Sequence, residues 1–321
     1  MKTQDKEVLK MLESTKEFRK MFGRDQDNLG KVLEGYIYAT WPSLFIYHMR
    51  SLANKFIPDP EVVPRYPEGV IPPEIDELTQ LIVEKTMPSF LSTETSGYHG
   101  KVIKLDEAKA LLTIDHDISL TNLEKVIPYK LARDIILKNP DQMAVFECPC
   151  RLTKENPCGP LDVCLAIGDP MASFWLEHKT GNARKISQEE AVDIIKAEDD
   201  RGHIHSAWFK ESLGDRFYAI CNCCKCCCNA MRGHFHNVPV IAPSGYVSEI
   251  NEECNGCGTC LEFCQFGAIS MNDRAIVNHD KCMGCGVCES KCSVGAISLR
   301  RDYGKCEPLD IRVLMEQNKI L

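Results

Sequence analysis

Nineteen cysteines in 321 residues are the side chains of this protein with most chemistry to offer, and they are unevenly placed. Six fall within eight residues, CNCCKCCC, at Cys221, Cys223, Cys224, Cys226, Cys227 and Cys228. Four more, Cys148, Cys150, Cys158 and Cys164, lie in CPCRLTKENPCGPLDVC. Eight form two runs, CNGCGTCLEFC from Cys254 and CMGCGVCESKC from Cys282, each spaced C-x2-C-x2-C-x3-C. No helix, strand or turn needs thiols at this density for packing, and a chain of this length buries a core without disulfide staples. The first ten residues, MKTQDKEVLK, are charged where a secretory signal would need an apolar run. The expectation is therefore a cytoplasmic protein whose thiols are used for metal or redox chemistry rather than for a disulfide framework.

The two regular runs belong to a longer internal repeat. CNGCGTCLEFCQFGAIS from Cys254 returns as CMGCGVCESKCSVGAIS from Cys282, with Gly256, Gly258, Gly267, Ala268, Ile269 and Ser270 all repeated. Such self-similarity implies two like units around a pseudo-two-fold axis. The spacing suits three thiolates in a tight loop on one face of an iron–sulfur cube, with the fourth cysteine reaching the other cluster. Residues 247–300 accordingly resemble bacterial-type ferredoxins that carry two 4Fe-4S clusters. The resemblance implies that Cys254, Cys257, Cys260 and Cys292 hold one cluster and Cys282, Cys285, Cys288 and Cys264 the other. It implies relay of single electrons to or from a partner oxidoreductase. One departure stands out: the family's proline after the fourth cysteine is replaced by Gln265 and Ser293. A pair of zinc sites is the competing reading, but zinc motifs rarely space cysteines as 2-2-3 twice over.

The ten upstream cysteines leave three readings open: one or two further iron–sulfur clusters drawn from both segments, a structural four-cysteine zinc site, or thiols that are redox-active or merely adventitious. Within the octet, Cys221, Cys224 and Cys227 have the 2-2 spacing of a cluster loop, and Cys223 and Cys226 interleave with them. A helical octet would instead put Cys221, Cys224 and Cys228 on one face. Cys158-x5-Cys164 with Cys224-x3-Cys228 is similar to the spacing beside sirohaem in sulfite and nitrite reductases. CPCR, the downstream cysteine pair, ISQEEA, CNCC and the repeat together resemble a group of long 4Fe-4S-binding proteins of anaerobic bacteria and archaea. His203 with His205, and His234 with His236, alternate as in strands and could add imidazole ligands, though core or surface histidines are the plainer reading. Arg151 and Arg232 stand near the cysteine segments and could neutralise charge there or form ordinary salt bridges. No catalytic residue is assigned.

The elements that must position these groups read as follows. An apolar face from Val8, Met11 and Leu12 to Phe18, Met21 and Phe22 marks a helix that stops at Gly23, and Pro42 divides an apolar pair of helices over 36–49. Residues 58–73 hold six prolines and read as a connector, followed by a helix over 74–85. Thr121 with Glu124 and Ser187 with Glu190 have capping-box spacing, so helices are expected from both, ending at Asn139-Pro140 and Gly202. MAVFE at 143–147 and RFYAI at 216–220 read as strands that each deliver the chain into a cysteine cluster, and as neighbours they would bring the clusters to one edge.

The net charge of −8 argues against a nucleic-acid partner, and the longest apolar run is too short to cross a bilayer. No dinucleotide, P-loop or nucleophile-elbow motif is present. The expected architecture is α+β, with a helical and mixed α/β domain over 1–245 and a ferredoxin-like dicluster domain over 246–321. The expected function is an iron–sulfur electron-transfer protein with two 4Fe-4S clusters and one or two additional clusters, or zinc, upstream. A reductase with a catalytic metal centre in the first domain, and a reductive activator or assembly protein, are the alternatives.

Overall fold

The computed structural model describes residues 12–23, 28–63 and 71–318. Val8 and Met11 of the first apolar face, and the middle of the proline-rich connector, lie outside them. The first helix, Glu13–Lys20, buries Phe18, with Met21 and Phe22 buried just beyond it. The Asn28 side chain accepts from the backbone N–H of Lys31 and so starts the helix Leu29–Thr40. Pro42 lacks an N–H and therefore opens a new helix, Pro42–Ala53, instead of prolonging the previous one. A fourth helix spans Pro73–Thr86.

The centre of the molecule is an eight-stranded, mainly antiparallel sheet. Its strands are β1 (Tyr98–Ile103), β2 (Ile118–Leu120), β3 (Ile135–Glu147), β4 (Asp162–Asp169), β5 (Arg184–Ile186), β6 (Ile204–Lys210), β7 (Arg216–Cys223) and β8 (Ile241–Ala242). They lie in the order β2-β3-β4-β7-β6-β1-β8, with β5 also paired to β3. Both faces are covered, and alternation along the strands sorts side chains between them. Phe146, Cys164, Trp208 and Tyr218 face the first three helices and the helix Met171–His178, where Phe18, Phe45, Phe174 and Trp175 complete an aromatic core. Val145, Leu165, Phe209 and Ile220 face the helices Leu105–Leu112 and Gln188–Asp200, joined by Leu309 and Ile311 from the far end of the chain. Each fully buried large apolar side chain contributes about 1.5–3 kcal/mol, so both faces hold the sheet firmly.

Two expectations about this sheet change. The strands at 143–147 and 216–220 exist, but β4 lies between them. Because β4 is antiparallel to both, β3 and β7 run the same way and deliver their cysteines to the same end of the sheet, while β4 brings Cys164 there. No helix follows Thr121. Asn122 has φ +59°, a left-handed conformation that blocks a helical start, and Pro128 would interrupt any continuation. Leu123, Val126 and Ile127 are buried from an irregular segment instead. Asn139-Pro140, expected to end that helix, sits inside β3 at a shift of register. The second capping box holds: Ser187 Oγ accepts from Glu190 N at 3.1 Å at the start of Gln188–Asp200.

Beyond the large sheet, β9 (Tyr246–Ile250) pairs with β12 (Ile297–Arg301), and β10 (Ile269–Met271) forms a hairpin with β11 (Ala275–Val277). The helix Ile311–Asn318 then returns to the large sheet, where Leu314 and Met315 pack on its second face. No described helix is long and apolar enough to cross a membrane.

Candidate metal centres

The ten upstream cysteines sort into six and four. Cys148 ends the approach from β3, and Cys150 follows in the short helix Pro149–Leu152. Cys164 lies on β4, Cys221 and Cys223 lie on one side of β7, and Cys228 caps the helix Asn229–Phe235. These six form a closed ring. Cys148 neighbours Cys150 and Cys164, Cys150 neighbours Cys228, Cys228 neighbours Cys223, Cys223 neighbours Cys221, and Cys221 lies beside Cys164. The Sγ atoms of Cys164 and Cys221 are 3.9 Å apart. Hydrogen bonds between neighbours alternate around the ring, pushing the thiols of Cys148, Cys228 and Cys221 up and those of Cys150, Cys223 and Cys164 down, Cys164 to about 6. So many polarised sulfurs facing one another in an apolar interior suit a cationic core shared by several of them.

The ring lines a cavity whose far wall is aromatic: Tyr38, Tyr98, Trp175, Trp208 and Tyr218. Burial raises all three tyrosines, and the hydroxyls of Tyr38 and Tyr218 are 2.7 Å apart. Trp208 Nε1 donates to Ser206 Oγ at 2.9 Å, and that hydroxyl lies 3.3 Å from Cys223 Sγ.

The other four, Cys158, Cys224, Cys226 and Cys227, are more compact, with all four Sγ atoms within 4.8 Å of one another. Cys158–Cys224 and Cys158–Cys227 are each 3.4 Å, and Cys224–Cys226 is 3.2 Å. A turn after β7 gathers three of them, closed by Cys228 N donating to Cys224 O at 3.1 Å.

Two buried arginines hold these loops. Arg50, on the helix Pro42–Ala53, donates to the carbonyls of Cys150 at 3.3 Å, Thr153 at 3.4 Å and Cys227. It therefore ties the CPCR loop to the octet. Arg151 donates to Glu198 Oε2 at 2.7 Å, to Asn222 O at 3.3 Å and to Pro160 O, and lies 3.1 Å from His203 Nδ1. Burial would raise the Glu198 carboxyl, but hydrogen bonds from His203 and Arg151 overcome it and hold the group below its usual range. Arg151 is thus committed to a buried ion pair, and Arg232 faces Asp59 at 3.8 Å.

The histidines stay apart from the sulfurs. His203 pairs with Glu198 at 2.6 Å, and His205 Nδ1 meets Asn222 Oδ1 at 2.7 Å. His234 lies in the helix Asn229–Phe235 rather than in the expected strand, and His236 caps its end. The sirohaem-like spacing does not converge either: Cys158 and Cys224 belong to the compact four, Cys164 and Cys228 to the ring. A helical octet is also excluded, because β7 continues through Cys223 and keeps Cys221 and Cys223 on one side.

The repeated runs keep their symmetry. Gly256 and Gly284 have φ +73° and +66°, and Gly258 and Gly286 have φ +81° and +86°, conformations that glycine adopts without strain. The last pair start the short helices Thr259–Phe263 and Val287–Ser290. Ala268 N donates to Cys264 Sγ and Ala296 N to Cys292 Sγ, each at 3.2 Å. Cys264 lies near Cys282, Cys285 and Cys288, and Cys254, Cys260, Cys264, Cys288 and Cys292 share one apolar cluster. The halves differ in environment. Backbone hydrogen bonds lower Cys254, and the Thr259 hydroxyl lowers the exposed Cys257. Burial raises Cys285, and raises Cys288 to about 12. The buried half packs against the front of the molecule through Phe266, Met283 and Val287.

Gln265, the departure from the ferredoxin pattern, makes a joint of that contact. Its Oε1 accepts from Lys225 N, within the octet, at 2.9 Å, and its Nε2 donates to Gly202 O at 2.8 Å. Neither Gln265 nor Arg50 was assigned a role from sequence. For Gln265 the missing proline was the signal, and for Arg50 it was a charge set in an apolar helix. The nineteenth cysteine, Cys306, stands outside every group and accepts from Lys101 Nζ at 2.9 Å.

A family model described as a 4Fe-4S dicluster domain matches residues 253–296. No curated protein and no solved structure matches the chain. The C-terminal region is therefore an iron–sulfur domain, and outside it Cys158, Cys224, Cys226 and Cys227 lie close enough together to hold a metal ion.

Proposed function

We propose that this chain is an iron–sulfur electron-transfer protein in which two 4Fe-4S clusters serve a third, polynuclear iron–sulfur centre in the six-cysteine ring. Residues 1–245 and 246–321 are read as its two units, the second returning its last helix, Ile311–Asn318, to the large sheet of the first. Cys254, Cys257, Cys260 and Cys292 would hold one cluster, and Cys282, Cys285, Cys288 and Cys264 the other. When bound, such a cluster takes up or gives up one electron with little rearrangement. The chain's own residues supply an exposed end at Cys257 for a redox partner protein and a buried end at Cys285 against the front unit.

The closed ring of six thiols carries the third-centre reading. A single tetrahedral ion takes four sulfurs, and the six do not gather into a compact set that one ion could collect. Iron and acid-labile sulfide in protein purified without oxygen test it. Two 4Fe-4S clusters alone give about eight irons per chain, and a loaded ring gives more. The double substitution Cys223→Ser with Cys228→Ser should return the count to about eight. A wild-type count of eight would remove the third centre.

The aromatic cavity over the ring favours one second reading, a reductase that meets a small substrate there. Turnover-linked reoxidation of the reduced protein by a substrate would establish it, and it would be abolished by the same double substitution.

A further inference from the structure

The four cysteines left out of the ring have geometry of another kind. Sulfurs that share one tetrahedral zinc ion at about 2.3 Å stand about 3.8 Å from each other, so all pairs are close. Sulfurs of a 4Fe-4S cube bind different irons at different corners and must stand wider. In the set Cys158, Cys224, Cys226 and Cys227, three Sγ pairs are 3.2–3.4 Å apart and all lie within 4.8 Å. The set is closed, since four thiols complete a tetrahedron and leave no position for substrate. Cys158 N also points at Cys227 Sγ at 3.4 Å, the kind of backbone donor that steadies a thiolate ligand.

We propose that Cys158, Cys224, Cys226 and Cys227 bind one zinc ion in an all-thiolate site separate from the iron–sulfur centres. Iron(II) suits the same four sulfurs, but zinc lies above it in intrinsic affinity for such ligands. The site joins the loop between Pro149–Leu152 and β4 to the turn after β7. The same turn carries Lys225, whose backbone N–H meets Gln265, so the ion stiffens the segment on which the dicluster region rests. By taking Cys224, Cys226 and Cys227, it also leaves Cys221, Cys223 and Cys228 free for the ring. This assignment does not depend on what the ring holds.

The test uses the full chain, purified without oxygen from cells grown without added zinc. Elemental analysis should find one zinc per chain, and zinc-edge X-ray absorption should show four sulfurs at about 2.3 Å. Cys226→Ser should lower zinc occupancy several-fold while leaving iron, sulfide and the reduced-state paramagnetic spectrum of the other centres unchanged. Should that variant not fold, the absorption measurement on the wild type decides alone. A zinc shell of nitrogen or oxygen, absence of zinc, a ferric tetrathiolate spectrum, or loss of iron rather than zinc from Cys226→Ser would each overturn the assignment. Failure of the iron–sulfur reading would appear in the iron and sulfide counts with the zinc shell intact.

Discussion

The two cysteine-rich regions of this molecule are built on opposite plans. In the dicluster region each proposed set comes from one short run plus one residue of its twin, and paired glycines bend each loop alike. At the end of the large sheet the sulfurs come from β4, β7 and the loops that follow β3 and β7, and only the tertiary fold decides which thiol joins which group. The first plan is local and needs little support. The second depends on buried charges and on the sheet, so damage to the fold should strip metal from the front unit and spare the dicluster region.

The largest separation is expected from Glu198→Gln. Arg151 would be left buried without its counter-charge, at about 3–5 kcal/mol. Denaturation should show that loss, with upstream metal depleted and dicluster iron retained. The same pair has a pH signature. The folded carboxyl is held below its unfolded value, so its contribution is complete above the ordinary carboxylate range and is lost only as pH falls through the lower folded value. Acid unfolding of wild type and Glu198→Gln should therefore converge at low pH.

Arg50→Leu comes next. It removes one donor from each of three carbonyls in two loops. Thr153 O keeps Val63 N and Cys150 O keeps Thr153 Oγ1, but Cys227 O loses its bond, with an expected cost of about 1–2 kcal/mol and the same selective loss of upstream metal. Equal loss from both regions would erase the contrast between the two plans.

Inside the dicluster region, alanine at two glycines gives a finer test. At Gly284 a Cβ would run into Tyr246 O and Ser244 Oγ, whereas at Gly258 it meets nothing within 4 Å. Gly258→Ala should cost about 1 kcal/mol for its left-handed backbone alone. Gly284→Ala should cost visibly more and lower iron content first. The smallest effect is expected from Gln265→Ala. Loss of two hydrogen bonds between the regions should cost about 1 kcal/mol and raise amide exchange at Lys225 without changing metal content.

The same contrast explains what could be read in the sequence. The eight cysteines of the repeated runs were legible as a candidate set because their spacing is local, and a 4Fe-4S dicluster domain matches residues 253–296. Ser187 as a helix cap and Pro42 as a divider were legible for the same reason. The sorting of the octet was not, because it turns on β4 entering between β3 and β7 with Cys164. Nor was the fate of residues 121–134, where capping spacing was outweighed by a left-handed Asn122 and by Pro128. His234 and His236 alternate like a strand, yet the chain turns helical directly after Cys228.

The six-cysteine ring is proposed to hold its own iron–sulfur centre beside two 4Fe-4S clusters. Iron quantified per chain in parallel for the wild type and for Cys223→Ser with Cys228→Ser tests it most directly. The wild type should hold more than about eight irons and the variant about eight. About eight in both would contradict it.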